Sequence, residues 1–345
     1  MIIAREKLLA ALAAVEPGLA DRDIVDQSTC YVFSGKHVCT YNGEVVCRMP
    51  IPAGLHGAVP AAAFQKLLLK YTVPKLSIQC GKTRIQVASK TQGIATIVYD
   101  TEIKLPTKSI ALPKQWHKVP PSFSGALMDA LSCVSKDESK FVLTCVNVAP
   151  THVEGCNNYQ ACRCQCKVPV RKSLLLRGSA AQDVAKAAMV AMGETKTWVH
   201  FKNADGLILS CRKYDDDYHN LDPIVKLEGH RFALPSKLKG ACDRAAVFAA
   251  EDGGQVTVKV AMANSKVTIS GEGKSGTFTE QEPCKYKGSP VEFLVSPSVL
   301  KRIIDEKGAT YLAGFKVMAK TKSLIFASAL SSPMPEAEGD ESDGD

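Results

Sequence analysis

The segment VPAAAFQKLLLKYTV (Val59–Val73) runs almost directly into KLSIQCGKTRIQVASKTQGIATIVYD (Lys75–Asp100). The first half has a short Pro-containing lead and then apolar residues at helical spacing. The second alternates apolar and polar residues as strands do, with Gly81-Lys82 marking a hairpin turn. A helix feeding antiparallel strands is one structural unit, and the unit recurs. Similar helix candidates begin near residues 5, 60, 121, 179, 235 and 297, at spacings of 55, 61, 58, 56 and 62. They are REKLLAALAAV from Arg5 (with Leu8, Leu12 and Val15 on one face), the segment above, VPPSFSGALMDALSCVSKDE from Val119, LLLRGSAAQDVAKAAMVAMG from Leu174, FALPSKLKGACDRAAVFAAEDG from Phe232 and FLVSPSVLKRIIDEKG from Phe293. Further alternating runs, KTWVHFKNADGLILSCRKY and QVTVKVAMANSKVTISGEG, carry Asp205-Gly206 and Asn264-Ser265 at their turns. One helix cannot cover its own sheet, so the units should pair. The expected fold class is therefore α+β, in three domains of about 110 residues. Their bounds are 1–108, 109–226 and 227–333, set by the Pro-punctuated stretches LPTKSIALPKQ and DPIVKLEGHRF.

The remaining bulk properties narrow the class of function. With 345 residues, 46% hydrophobic and 23% charged, the chain has material for several cores and is not mainly disordered. No apolar run reaches the roughly 18 to 20 residues of a membrane span. Arg5, Glu6 and Lys7 stand directly before an amphipathic pattern, so the start reads as a folded helix and not as a signal peptide. A cytoplasmic protein is expected. The net charge of +8 is unevenly spread. The last eleven residues hold six acids and no base, and setting them aside leaves 29 acids against 43 Lys and Arg, an excess of 14. A body that basic suits a polyanionic partner, although a basic protein without one has the same composition. The tail, 334–345, is too polar to fold alone and is expected to be disordered.

Thirteen cysteines are scattered except for Cys156, Cys162, Cys164 and Cys166. The last three alternate along a strand and lack the paired C-x-x-C knuckles of structural zinc, so packing is favoured over metal. Gly81–Thr83 and Gly273–Ser275 look like the end of a phosphate loop, but Leu76 and Thr268 stand where its first glycine is needed. The seven histidines show no metal-ligand spacing, and the acidic run Asp215–Asp217 reads as a solvated loop. No catalytic residue, metal or cofactor is expected. Basic residues recur on the helix candidates: Lys66, Lys70, Arg177, Lys186, Lys237, Lys239, Arg244, Lys301 and Arg302. Facing phosphates, they would give salt-sensitive, sequence-independent binding; otherwise they are ordinary solvated helix faces.

Six helix–strand units in three domains, basic and without catalytic motifs, resemble the bacterial-type DNA sliding clamp, the beta subunit of DNA polymerase III. REKLLAALAAVEPGLADR (Arg5–Arg22) is similar to the family's first helix and the arginine-bearing loop after it. VPAAAFQKLL, YDDDYHNLDPIV (Tyr214–Val225) and FLVSPSVLKRIID (Phe293–Asp305) match further family segments in order. The resemblance spans about residues 1–332. It implies a head-to-tail homodimeric ring with sheets outside and helices lining a hole for double-stranded DNA, a replicative DNA polymerase and a clamp loader as partners, and no membrane. By family position Arg22 contacts DNA, supported by the helix lysines and arginines. Ile94 and Thr96 of one subunit meet Val247 and Phe248 of the other, unless the latter pair is simply buried in the third domain.

The same resemblance places a pocket for hydrophobic partner peptides at Gly155, Asn157, Asn158, Tyr159 and Gln160, at His219, Pro223 and Ile224, and at Phe326, Ala327, Ser328, Ala329 and Leu330. Here the chain departs from the family: CNNYQ (Cys156–Gln160) replaces D-G-H-R-L, and SALSS replaces the M-P-M-R-L ending. An altered peptide preference follows, which suits a virus-encoded or otherwise specialised clamp. The competing class is a basic protein-interaction scaffold that never encircles DNA. A metal-dependent nucleic-acid enzyme is the third, and it needs a bound metal.

Overall fold

The computed structural model describes residues 1–226, 228–249 and 256–331, so the acidic tail expected at 334–345 lies outside the described residues. Six helices of nine or more residues start within three residues of the expected positions: α1 (Arg5–Val15), α2 (Ala61–Lys70), α3 (Phe123–Leu131), α4 (Gly178–Lys186), α6 (Leu238–Ala249) and α7 (Pro297–Asp305). A single turn, α5 (Asp222–Val225), precedes α6 and carries two of the expected pocket residues, Pro223 and Ile224. Each long helix buries one stripe. In α1 it is Leu8, Ala11, Leu12 and Val15; in α7 it is Val299, Leu300, Ile303 and Ile304. These spacings put the apolar side chains on one face of a 3.6-residue period. Pro297 at the first turn of α7 presets the helical φ where no backbone donor is needed.

The chain divides into two compact units, one of residues 1–155 and 166–218, the other of 156–165 and 219 onward. In the first, α1 packs on α2 and α3 on α4. Its sheets are antiparallel. One orders Ile2–Ala4, Lys75–Cys80, Arg84–Ser89 and Gly93–Val98, leaving the last strand on an edge. A second joins Cys30–Tyr41 and Val45–Pro60 to Ile208–Arg212, Trp198–Asn203, Met189–Glu194 and His117–Lys118. A third set pairs Leu174–Arg177 with Cys145–Val148, and that strand with His152–Cys156. Phe33 meets Phe64 edge-on, and Phe123 stacks on Phe201 at 5.9 Å between centroids.

In the second unit, α6 packs on α7. Gly276–Pro283, Lys266–Gly273, Val258–Ala263 and Val291–Val295 form one antiparallel sheet, again with an edge strand, Gly276–Pro283. The other sheet runs His230–Phe232, Ala309–Ala313, Lys316–Lys320, Leu324–Ala329 and Gln160–Gln165. Gln160–Gln165 falls within the expected segment 109–226, and one of its sheet neighbours is Leu324–Ala329.

Turn chemistry follows the residues. Asn264 and Ser265 both take positive φ, 52° and 58°, between the paired Ala263 and Lys266. That is the two-residue turn whose twist matches the strands. Gly273 pairs with Gly276, so Lys274-Ser275 closes a hairpin, and Gly81–Thr83 likewise lies between paired strands. Neither glycine motif leads into a helix. Among the described residues no helix is long and apolar enough to cross a membrane.

Candidate functional site

The ten basic residues singled out by sequence fall into two groups. Lys66 and Lys70 stand exposed on α2, Lys186 on the last turn of α4, Lys237 just before α6, and Arg22 in the loop after α1. None of these five makes a salt bridge among the described residues. The other five are engaged with carboxylates. Lys239 pairs with Asp305 and Lys301 with Asp243, a reciprocal tie between α6 and α7; Asp243 holds the Lys301 ammonium above its usual pKa. Arg177 pairs with Glu138 and lies over the Phe141 ring.

Arg244 is exposed on α6, whereas Arg302 is largely covered. Arg244 reaches sideways to Glu280 and the Phe278 ring, both on the edge strand Gly276–Pro283. Arg302 turns inward: its guanidinium lies 4.2 Å from the centroid of Phe326, 3.7 Å from Cys162 Sγ and within 3.5 Å of Glu306. A delocalised, weakly hydrated guanidinium tolerates such stacking where an ammonium would not.

A cavity of about 110 Å³ opens in the second unit. Asn157, Asn158, Tyr159, Gln160, Ile224, Ala327, Ser328 and Ala329 line it, together with Ala161 and Lys316. Lys316 comes from the strand Lys316–Lys320, and three further elements build the rest. The Asn157 carboxamide accepts the backbone N–H groups of Tyr159 and Gln160 and so shapes the turn that opens Gln160–Gln165. That strand pairs with Leu324–Ala329, and Ala329 N–H donates to the Tyr159 carbonyl. The turn α5, which carries Ile224, is held by Asp222, bonded to Arg163 at 2.7 Å and to Lys226 at 2.9 Å. These bonds, Arg163 first, hold the Asp222 carboxyl down at about 2. Tyr159 is 71% exposed at the mouth.

Five residues expected at the pocket do not line the cavity. Gly155 packs against the Ala130 carbonyl of α3, where a Cβ would collide. Phe326 is fully buried under Arg302, and Leu330 is also buried. His219 and Pro223 are exposed. Lys316 and Ala161 were missed. Lys316 lies two strands' length of chain from any segment that resembles the family's pocket, whereas Ala161 neighbours Gln160 and adjacency could have flagged it.

The residues expected at a subunit interface sit on or beside the two edge strands. Ile94 is 72% exposed, Thr96 is exposed, and Val98 on the same face is 71% exposed. Val247 on α6 is 64% exposed, so it is not buried in its own unit, while Phe248 is half-buried against Gly276. The clustered cysteines are packing groups: Cys156, Cys162, Cys164 and Cys166 are all buried, with 3.7 Å between the sulfurs of Cys162 and Cys164. Among the described residues no group of three or more His, Cys, Asp or Glu is arranged to hold a metal ion.

This architecture has counterparts among solved structures. The DNA polymerase III subunit beta from Pseudomonas aeruginosa superimposes with a TM-score of 0.82, covering 96% of this chain and 100% of that one at 12% identity. The fold is that of a bacterial sliding clamp. The DNA polymerase sliding clamp from Bacillus subtilis gives a TM-score of 0.82 at 14% identity, over 96% and 98% of the two chains. The beta subunit from Thermotoga maritima gives 0.81 at 12%, over 96% and 99%. No sequence family matches the chain, and neither does any curated protein sequence. The clamp fold is thus retained across a sequence that keeps about one residue in eight.

Proposed function

We propose that the chain is a DNA polymerase processivity factor, a homodimeric ring that encloses duplex DNA and tethers a replicative polymerase. The carrying observation is coverage: the clamp fold spans the full length of both the chain and its structural counterparts. Three domains per chain, 1–108, 109–226 and 227–333, would make six around the ring. Closure would set Gly93–Val98 of one protomer beside Gly276–Pro283 of the other, with Ile94, Thr96 and Val98 facing Val247 and Phe248. An exposed edge strand bearing large apolar side chains is a template for such pairing, and a closed ring removes the edge.

Function then follows from topology and not from catalysis; no cofactor takes part, and the work is cytoplasmic. Arg22, Lys66, Lys70, Lys186 and Lys237 would meet phosphates without reading sequence. Enclosure keeps the polymerase near its template by effective concentration. The alanine-walled cavity at Tyr159 and Ile224 would take one aliphatic side chain from a polymerase or clamp-loader peptide, and Lys316 would favour a peptide with a carboxylate nearby.

One observation favours the scaffold reading: half of the expected DNA-facing cations are engaged in ion pairs within their own unit. Sedimentation equilibrium separates the two. The ring requires a stable species of twice 37.1 kDa, and Ile94→Asp with Val98→Asp should reduce it to monomer. A wild-type chain that is monomeric at every concentration contradicts the ring.

A further inference from the structure

The acidic run Asp215–Asp217 forms part of the wall of a second cavity, of about 730 Å³ and lying entirely in the first unit. That volume is in the range of small-ligand sites. At its base is Asn147, only 6% exposed, on the strand Cys145–Val148. The Asn147 Nδ2 donates to Glu154 Oε1 at 2.9 Å, which fixes the amide's orientation, since only the NH₂ end can face a carboxylate. Oδ1 is buried and has no hydrogen-bond partner among the described residues. A buried acceptor in that state calls for a donor.

The charges around it select the donor. Glu194 is already committed, one oxygen to Lys213 at 3.1 Å and the other to the Arg171 backbone N–H at 3.1 Å. Asp215, Asp216 and Asp217 are exposed and make no salt bridge among the described residues, and Arg171 and Lys172 stand exposed on the same cavity. Three carboxylates and a buried amide oxygen suit an ammonium or guanidinium. A metal ion fits poorly, because among the described residues no three His, Cys, Asp or Glu side chains are arranged to hold one. Arg171 and Lys172 oppose a bare polyamine, whose charge runs along its whole length, but would accept a carboxylate beside a single basic group. We propose that this cavity binds the lysine or arginine side chain of a peptide that carries an acidic residue next to it. The proposal is independent of the DNA-clamp reading.

The test is calorimetric titration of the full chain with acetyl-Asp-Arg-amide, against acetyl-Asp-norleucine-amide, spermidine and manganese chloride. The account expects saturable one-to-one binding of the arginine peptide and none of its norleucine analogue. Replacing Asp215, Asp216 and Asp217 together by Asn should weaken binding tenfold or more while the melting temperature holds. Asn147→Leu should do the same, with the Asn triple variant standing in if loss of the Glu154 partner prevents folding. No saturable binding, equal binding of the norleucine peptide, or an unchanged affinity in the triple variant would overturn the proposal. Spermidine binding more tightly than the peptide, or manganese competing with it at equal concentration, would overturn it as well.

Discussion

His200, on the strand Trp198–Asn203, is fully buried, with Nδ1 2.7 Å from Oγ of its cross-strand partner Ser210 and Nε2 3.2 Å from Thr195 Oγ1. Burial pushes its pKa down to about 4 from the usual 6.5. Between those values the unfolded chain binds a proton that the folded chain does not, so folding weakens as pH falls through the window. Below about 4 both states are protonated and the loss levels off. The linked cost approaches about 3 kcal/mol at most. Thermal unfolding from pH 7 to 4 should therefore show a fall in stability that His200→Gln flattens; an unchanged profile would mean that the imidazole titrates alike in the folded and unfolded chain.

Gly155 and Gly271 share a close approach of strand to helix. Each lies in the second strand after a helix, against the carbonyl of that helix's eighth residue, Ala130 in α3 and Ala245 in α6. A Cβ at either position would collide with helix backbone. Gly271→Ala should cost about 1 to 3 kcal/mol by overpacking and lower the melting temperature; a neutral effect would show that α6 can shift outward. This matched pair was not legible in the sequence, where Gly155 resembles a pocket residue. Close approach of strand to helix is a tertiary fact with no local signal. The Asn264-Ser265 turn was legible, because its chemistry is confined to four adjacent residues.

Among elements, the helices were readable because an amphipathic period is local, and their buried stripes agree with it. What the period does not show is which exposed cations already have partners. Lys239 and Lys301 find Asp305 and Asp243 at separations of 66 and 58 residues. Removing Lys66, Lys70 and Lys186 together should weaken duplex binding and flatten its dependence on log salt by about 2 to 3. Removing Lys239 and Lys301 should leave that slope unchanged and alter stability by less than about 1 kcal/mol per pair. Fluorescence anisotropy at several salt concentrations checks both; equal slopes for the two variants would take the α2 and α4 lysines off the DNA.

At the scale of the whole molecule, period-two alternation identified Gln160–Gln165 as a strand but not its neighbour, Leu324–Ala329, which supplies Ala327, Ser328 and Ala329 to the candidate pocket. The recurring helix–strand units, by contrast, together with the short family-like segments such as Arg5–Arg22 and Phe293–Asp305, anticipated the clamp fold. Exposed Ile94 and Val98 on one sheet edge, and exposed Val247 on α6 beside another, are features that a closed ring would account for and an isolated scaffold would not. The most direct measurement is retention of the chain, loaded with the clamp loader of its own source, on nicked circular DNA and on the same DNA after linearisation. Enclosure predicts a long-lived complex on the circle that is lost within the time of sliding once an end is cut. Equal retention on both would contradict it.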